Sequence, residues 1–152
     1  MPHLPLTTRL TAVAVCALAL PALLATAVPA AGAGTGRPLT TTLTGAAEVP
    51  DPGDPDGSGT ARLRVNPGTG VICYELTVTS IEPATAAHIH RGAPDVAGPV
   101  VVPLVPPTDG SSSDCTTVAR DLARDIATSP ADFYVNVHNA VYPAGALRGQ
   151  LG

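Results

Sequence analysis

The sequence predicts an all-β protein, a Greek-key-like antiparallel β-sandwich or barrel of about seven strands with one short helix over about 116–128. Three observations lead there. Seventeen prolines and fifteen glycines cut the 152 residues into short runs. Most of those runs alternate apolar and polar residues, the two-residue period of a half-buried strand. One segment alone has the three-to-four-residue apolar spacing of an amphipathic helix.

The first 33 residues precede this pattern. Arg9 is followed by an apolar run from Leu10 to Val28 and then by the small residues PAAGAG, the layout of a cleaved secretory signal peptide. Cleavage is expected near Ala30 to Ala33, with Ala27 as a second fit, and 34–38 then forms a short linker. Pro21 inside the run and weak flanking charge argue against a retained membrane anchor. Cys16 follows Val15, with most of the apolar run still to come, which argues against a lipid-carrying cysteine. About 120 residues remain, enough for one core and one domain at 39–152. The expected location is extracellular, free or associated with the cell envelope, with no stable membrane span after cleavage.

The strands follow in chain order. PLTTTLTG at 38–45 is threonine-rich and ends on a glycine, a strand signal. In GTARLRV, Ala61, Leu63 and Val65 share one face; in GVICYELTVTS, Ile72, Tyr74, Leu76 and Val78 do the same. NPGTG between them is a turn, so 59–79 reads as a hairpin. Further strands are expected at 85–91, 98–104, 133–139 and 145–151. Between the last four, VPPTDGSSSD reads as a flexible surface connection. In TTVARDLARDIATSP, Val118, Leu122 and Ile126 line one helical face, Thr116 or Asp114 offers an N-cap and Pro130 a stop.

Charge narrows the function. All twelve acidic residues follow the apolar leader and face seven arginines and no lysine. Such a chain offers no basic patch for nucleic acid or anionic lipid. Cys73 and Cys115 are the two cysteines left after the leader, and in an oxidising compartment they read as one disulfide. No nucleophile motif surrounds the serines of 111–113, and the absence of tryptophan makes a poor sugar-stacking platform. PDPGDPDGSG gathers Asp51, Asp54 and Asp56; a solvated acidic turn is its simplest reading, and calcium its functional alternative.

The histidines carry the chemistry that remains. Residues two apart on a strand point the same way, so His88 and His90 share a face while Ile89 points to the other. In DFYVNVHN the same rule sets Phe133, Val135 and Val137 against the core and Tyr134, Asn136 and His138 on the polar side. If the two strands are neighbours, three imidazoles meet, a donor set suited to copper or zinc. A polar network joining the histidines to Arg91, Tyr134 and Asn136 accounts for the same residues. Gly145 and Gly149 suit a turn and a close backbone approach, and Arg148 is expected to pair with an acid such as Glu48 or Glu75.

LTGAAEVP, GSGTARLRV, ATAAHIHRGAPDVAGPVVVPL and DFYVNVHNAVYPAGALRGQL, in that order, resemble a CHRD domain, the module named after chordin and also found alone in secreted bacterial proteins. The resemblance spans about 39–152, departing at the Asp-rich loop 51–56, where such domains more usually continue with an apolar residue. It implies an extracellular β domain without an established activity. A second, local resemblance is to copper,zinc superoxide dismutases, whose copper is held by a His-x-His pair and a histidine on a late strand; His88, His90 and His138 match these. Val100 stands where that pattern has a histidine leading into its zinc region, so at most a copper-only or structural metal is implied. Two readings follow. One is a non-enzymatic binding or structural module whose partner is an extracellular protein or envelope component. The other is a histidine-site copper or zinc protein, with dismutase-like chemistry as its enzymatic extreme.

Overall fold

The computed structural model describes residues 35–152. The expected leader at 1–33, Cys16 and the first linker residue lie outside the described residues. Eight strands are present: β1 (Arg37–Thr44), β2 (Ser58–Asn66), β3 (Val71–Thr79), β4 (Ala84–Arg91), β5 (Val100–Leu104), β6 (Ser111–Thr117), β7 (Phe133–Asn139) and β8 (Leu147–Gln150). One α-helix, α1 (Arg120–Thr128), lies between β6 and β7.

All strands belong to one antiparallel sheet in the order β5-β4-β7-β8-β1-β2-β3-β6. This sheet cannot be flat. Its edge strands β5 and β6 are joined only by 105–110, which spans at most about 25 Å, whereas eight strands laid flat are roughly 34 Å across. The sheet therefore curls into a nearly closed barrel, and the expected choice between sandwich and barrel falls to the barrel.

Side-chain bonds mark the seam. Tyr74 Oη accepts from Val105 N at 2.8 Å and Ser112 Oγ donates to Val105 O at 2.7 Å. Tyr74→Phe deletes one of these without changing the packed ring. Urea unfolding should show a loss of about 1 kcal/mol; no loss would mean that the Tyr74–Val105 hydrogen bond carries no stability.

The alternating residues fill the barrel as expected. Ala61, Leu63 and Val65 of β2, Ile72, Tyr74, Leu76 and Val78 of β3, and Phe133, Val135 and Val137 of β7 are buried in one core with Leu39, Leu43, Ile89 and Leu147. The helix adds Ala123, Ile126 and Ala127 to that core, and Arg37 at the start of β1 donates to the Ala127 carbonyl.

Three expectations are corrected. There are eight strands because 111–117, taken as part of a flexible connection, pairs with β3 along its length. The helix starts at Arg120, its N-cap is Ala119, and no side chain caps it. Thr116 and Thr117 are spent in the strand, which leaves neither Asp114 nor Thr116 near the helix start. The pairing sets Cys73 directly opposite Cys115, and the two form a disulfide.

Candidate metal centre

The site lies on the outward side of β4, β7 and β8. Strand parity builds it. Ile89, Val135, Val137 and Leu147 point into the core, so their neighbours His88, His90, Asn136, His138 and Arg148 point out. The register then sets His88 opposite Asn136, His90 opposite Tyr134, Ala86 opposite His138, and Asn136 opposite Arg148. Cross-strand partners on one face have Cβ atoms about 5 Å apart, so three histidines from two strands meet.

They meet closely. One ring nitrogen from each lies within 4.8 Å of the others, and this is the one group of three or more potential ligand side chains brought together among the described residues. Asp51, Asp54 and Asp56 do not converge in that way. Asp54 instead accepts from the backbone N–H groups of Asp56 and Gly57, both at 3.2 Å, as a turn-forming side chain.

Two rings have their orientation fixed by carbonyls. His90 Nδ1 lies 2.9 Å from Gly98 O, and His138 Nδ1 lies 3.1 Å from Pro143 O. A carbonyl only accepts, so each Nδ1 carries the hydrogen and each Nε2 is left with a lone pair. His138 Nε2 faces His88 Nδ1 at 3.1 Å, which His88 must therefore donate. His90 Nε2 is buried and has no hydrogen-bond partner among the described residues.

Electrostatics keep these rings neutral. Burial lowers the His88 pKa, and the neighbouring His138 and His90 lower it further. Burial also lowers that of His90, with the Gly98 carbonyl opposing and Arg148 adding to the effect. For His138 burial dominates again, Pro143 opposes and His90 adds. Neutral imidazoles with aimed lone pairs are the state that a metal needs.

The loop after β4 is held over the site by three side chains. Arg148 donates to Ala93 O at 2.8 Å and to Val96 O at 3.2 Å, Gln150 Nε2 donates to Gly92 O at 2.8 Å, and Tyr134 Oη accepts from Gly98 N at 3.1 Å. The loop folds back so tightly that a Cβ on Gly98 would lie 1.8 Å from Arg91 O. Tyr134 stacks on His90, centroids 4.8 Å apart and planes 10° apart, and the Arg148 guanidinium carbon lies 3.4 Å from the Tyr134 centroid.

Tyr134, Asn136 and Arg148 thus adjoin the histidines, but Arg91 does not. Its guanidinium pairs with Asp125 of α1 at 2.7 Å and lies over Phe133. Arg148 pairs with neither expected acid: Glu75 faces Arg62 at 4.0 Å, and Arg148 is spent on carbonyls. Glu48 is the residue that sequence reasoning undervalued. It is 6% exposed, and both its oxygens accept from Asn136 Nδ2, at 2.6 and 2.8 Å. Burial pushes its pKa up to about 7 against the opposing pull of Asn136 and Arg148.

A family model, the CHRD domain, matches residues 39–151. No curated protein and no solved structure matches the chain.

Proposed function

The chain belongs to the CHRD domain family, and we propose that it is a binding module whose ligand is one transition-metal ion held by His88, His90 and His138. The family suggests a binding or structural role. The buried, partnerless Nε2 of His90, on a ring grouped within 4.8 Å with ligand nitrogens of two other imidazoles, is the observation that turns this towards a metal. An unpaired buried acceptor costs about 1–3 kcal/mol, which coordination removes.

The residues fit the ion. His90 and His138 present Nε2, and His88 presents Nδ1 once its proton moves to its own Nε2, so binding needs one tautomer shift. Gly98 O and Pro143 O act as the outer partners that orient ligand imidazoles. Copper and zinc both accept such donors. We place this module outside the cytoplasm, because the apolar run at 10–28 has the layout of a cleaved leader; among the described residues no helix is long and apolar enough to cross a membrane.

One observation favours a metal-free alternative: the His88–His138 hydrogen bond at 3.1 Å satisfies two of the three rings without an ion. In that reading the cluster is a polar network in a protein-binding module. Metal content by mass spectrometry separates them. After exposure to copper and zinc, the oxidised protein should retain about one equivalent and the His88→Ala/His90→Ala/His138→Ala variant none. Equal, negligible content in both would leave the polar network.

A further inference from the structure

We propose, resting on the three-histidine reading, that the site selects its ion by charge and takes monovalent copper in preference to divalent zinc. The donor type does not decide between them, since imidazole suits both metals. Charge does. The three donors are neutral, so the full charge of the ion stays at the site, and what surrounds it sets the cost of a second positive charge.

Each element facing the site adds no buried anion aimed at it. β4 supplies the ligands His88 and His90, while Arg91 at its end turns away to Asp125. β7 supplies His138, with Asn136 and Tyr134 neutral. β5 sets Val100, Val102 and Pro103 against β4. In the covering loop Asp95 is exposed. Glu48, the buried carboxyl, is turned to Asn136 and packs on Gly145, where a Cβ would lie 2.5 Å from its carboxyl carbon.

Among the described residues the one permanent buried charge is a cation, since the Glu48 carboxyl, its pKa held up to about 7 and its oxygens turned to Asn136, is only about half ionised at neutral pH. Arg148 is 2% exposed, reaches carbonyl oxygens and no carboxylate within ion-pair distance, and lies on Tyr134, which in turn stacks on His90. Like charges in a poorly solvated setting repel more strongly than in water. A divalent ion meets that repulsion twice over compared with a monovalent one, with no anionic ligand to offset it.

The wild-type protein itself gives the first test: titration with Cu(I) under ascorbate against a chromophoric Cu(I) chelator, and with Zn(II) against a chromophoric Zn(II) chelator. Cu(I) should bind with one-to-one stoichiometry and resist displacement by excess Zn(II). Ala86→Glu then adds a carboxylate opposite His138 at a half-exposed position. It should raise Zn(II) affinity about tenfold, worth about 1.4 kcal/mol, and leave Cu(I) affinity less affected. Arg148→Gln should shift the balance the same way; the Ala86 variant decides if that one fails to fold. Zn(II) binding as tightly as Cu(I), or equal gains for both ions in Ala86→Glu, would overturn the charge argument and leave the three-histidine reading standing. Binding of neither ion overturns both.

Discussion

Replacing Cys73 and Cys115 by serine should lower the unfolding free energy by about 4 kcal/mol, the chain-entropy worth of a cross-link closing a loop of this length. The two residues are 42 apart in sequence and directly opposite across β3 and β6. The loss should also be local. β6 is an edge strand built from SSSDCTT, mostly exposed, and buries almost nothing of its own. Without the covalent link it keeps its ladder to β3 and the Ser112–Val105 bond. Urea unfolding gives the total, and amide exchange should rise first in 111–117. An unchanged midpoint with unchanged exchange there would mean that the ladder and the seam alone hold the edge.

Glu48→Gln should make the protein more stable at pH 8 and change it little near pH 5. The carboxyl titrates near 4.5 when exposed and at about 7 in the folded chain. Between those values the folded state holds the extra proton, so stability falls as pH rises from about 4.5 to 7 and stays low above. The whole effect is ~3 kcal/mol as an upper bound. Glutamine keeps one acceptor oxygen for Asn136 Nδ2 and removes the charge. The histidines act with the opposite sign: their lowered folded values mean that stability is lost as pH falls through the unfolded value of 6.5. The variant should therefore lose the fall in stability as pH rises from about 4.5 to 7 and retain the histidine-driven loss as pH drops below about 6.5. A gain of equal size at pH 5 and pH 8 would rule out Glu48 as the titrating group.

Much of the barrel was legible because β2, β3 and β7 obey strict alternation. β6 was not. Serine and aspartate have little intrinsic preference for strands, and what makes 111–117 a strand is pairing with β3 some forty residues earlier. The helix start was misplaced for the same reason, since a non-local strand claims Thr116 and Thr117.

The site was legible in part. His88 and His90 share a face by the two-residue period alone, but His138 joins them only through the β4–β7 pairing. Arg91 was misassigned against that same period: it follows His90 by one residue, so its side chain leaves on the opposite side. Glu48 could not be placed, because nothing local in AAEVP shows that the segment folds over Asn136. The orienting carbonyls of Gly98 and Pro143 are backbone atoms and leave no mark on residue type.

The position of β8 sets an order in time. It lies between β7 and β1, so the last strand of the chain joins the first strand of the domain to the strand carrying His138. Contacts between such distant segments form late, after much loop entropy has been lost. A chain emerging from the ribosome has all three histidines by residue 138, yet it lacks Arg148 and Gln150, which fasten the loop carrying Gly98 O. The geometry on which the proposed metal site rests is thus complete only once β8 is in place, and a nascent chain exposing the same histidines lacks the fastened loop.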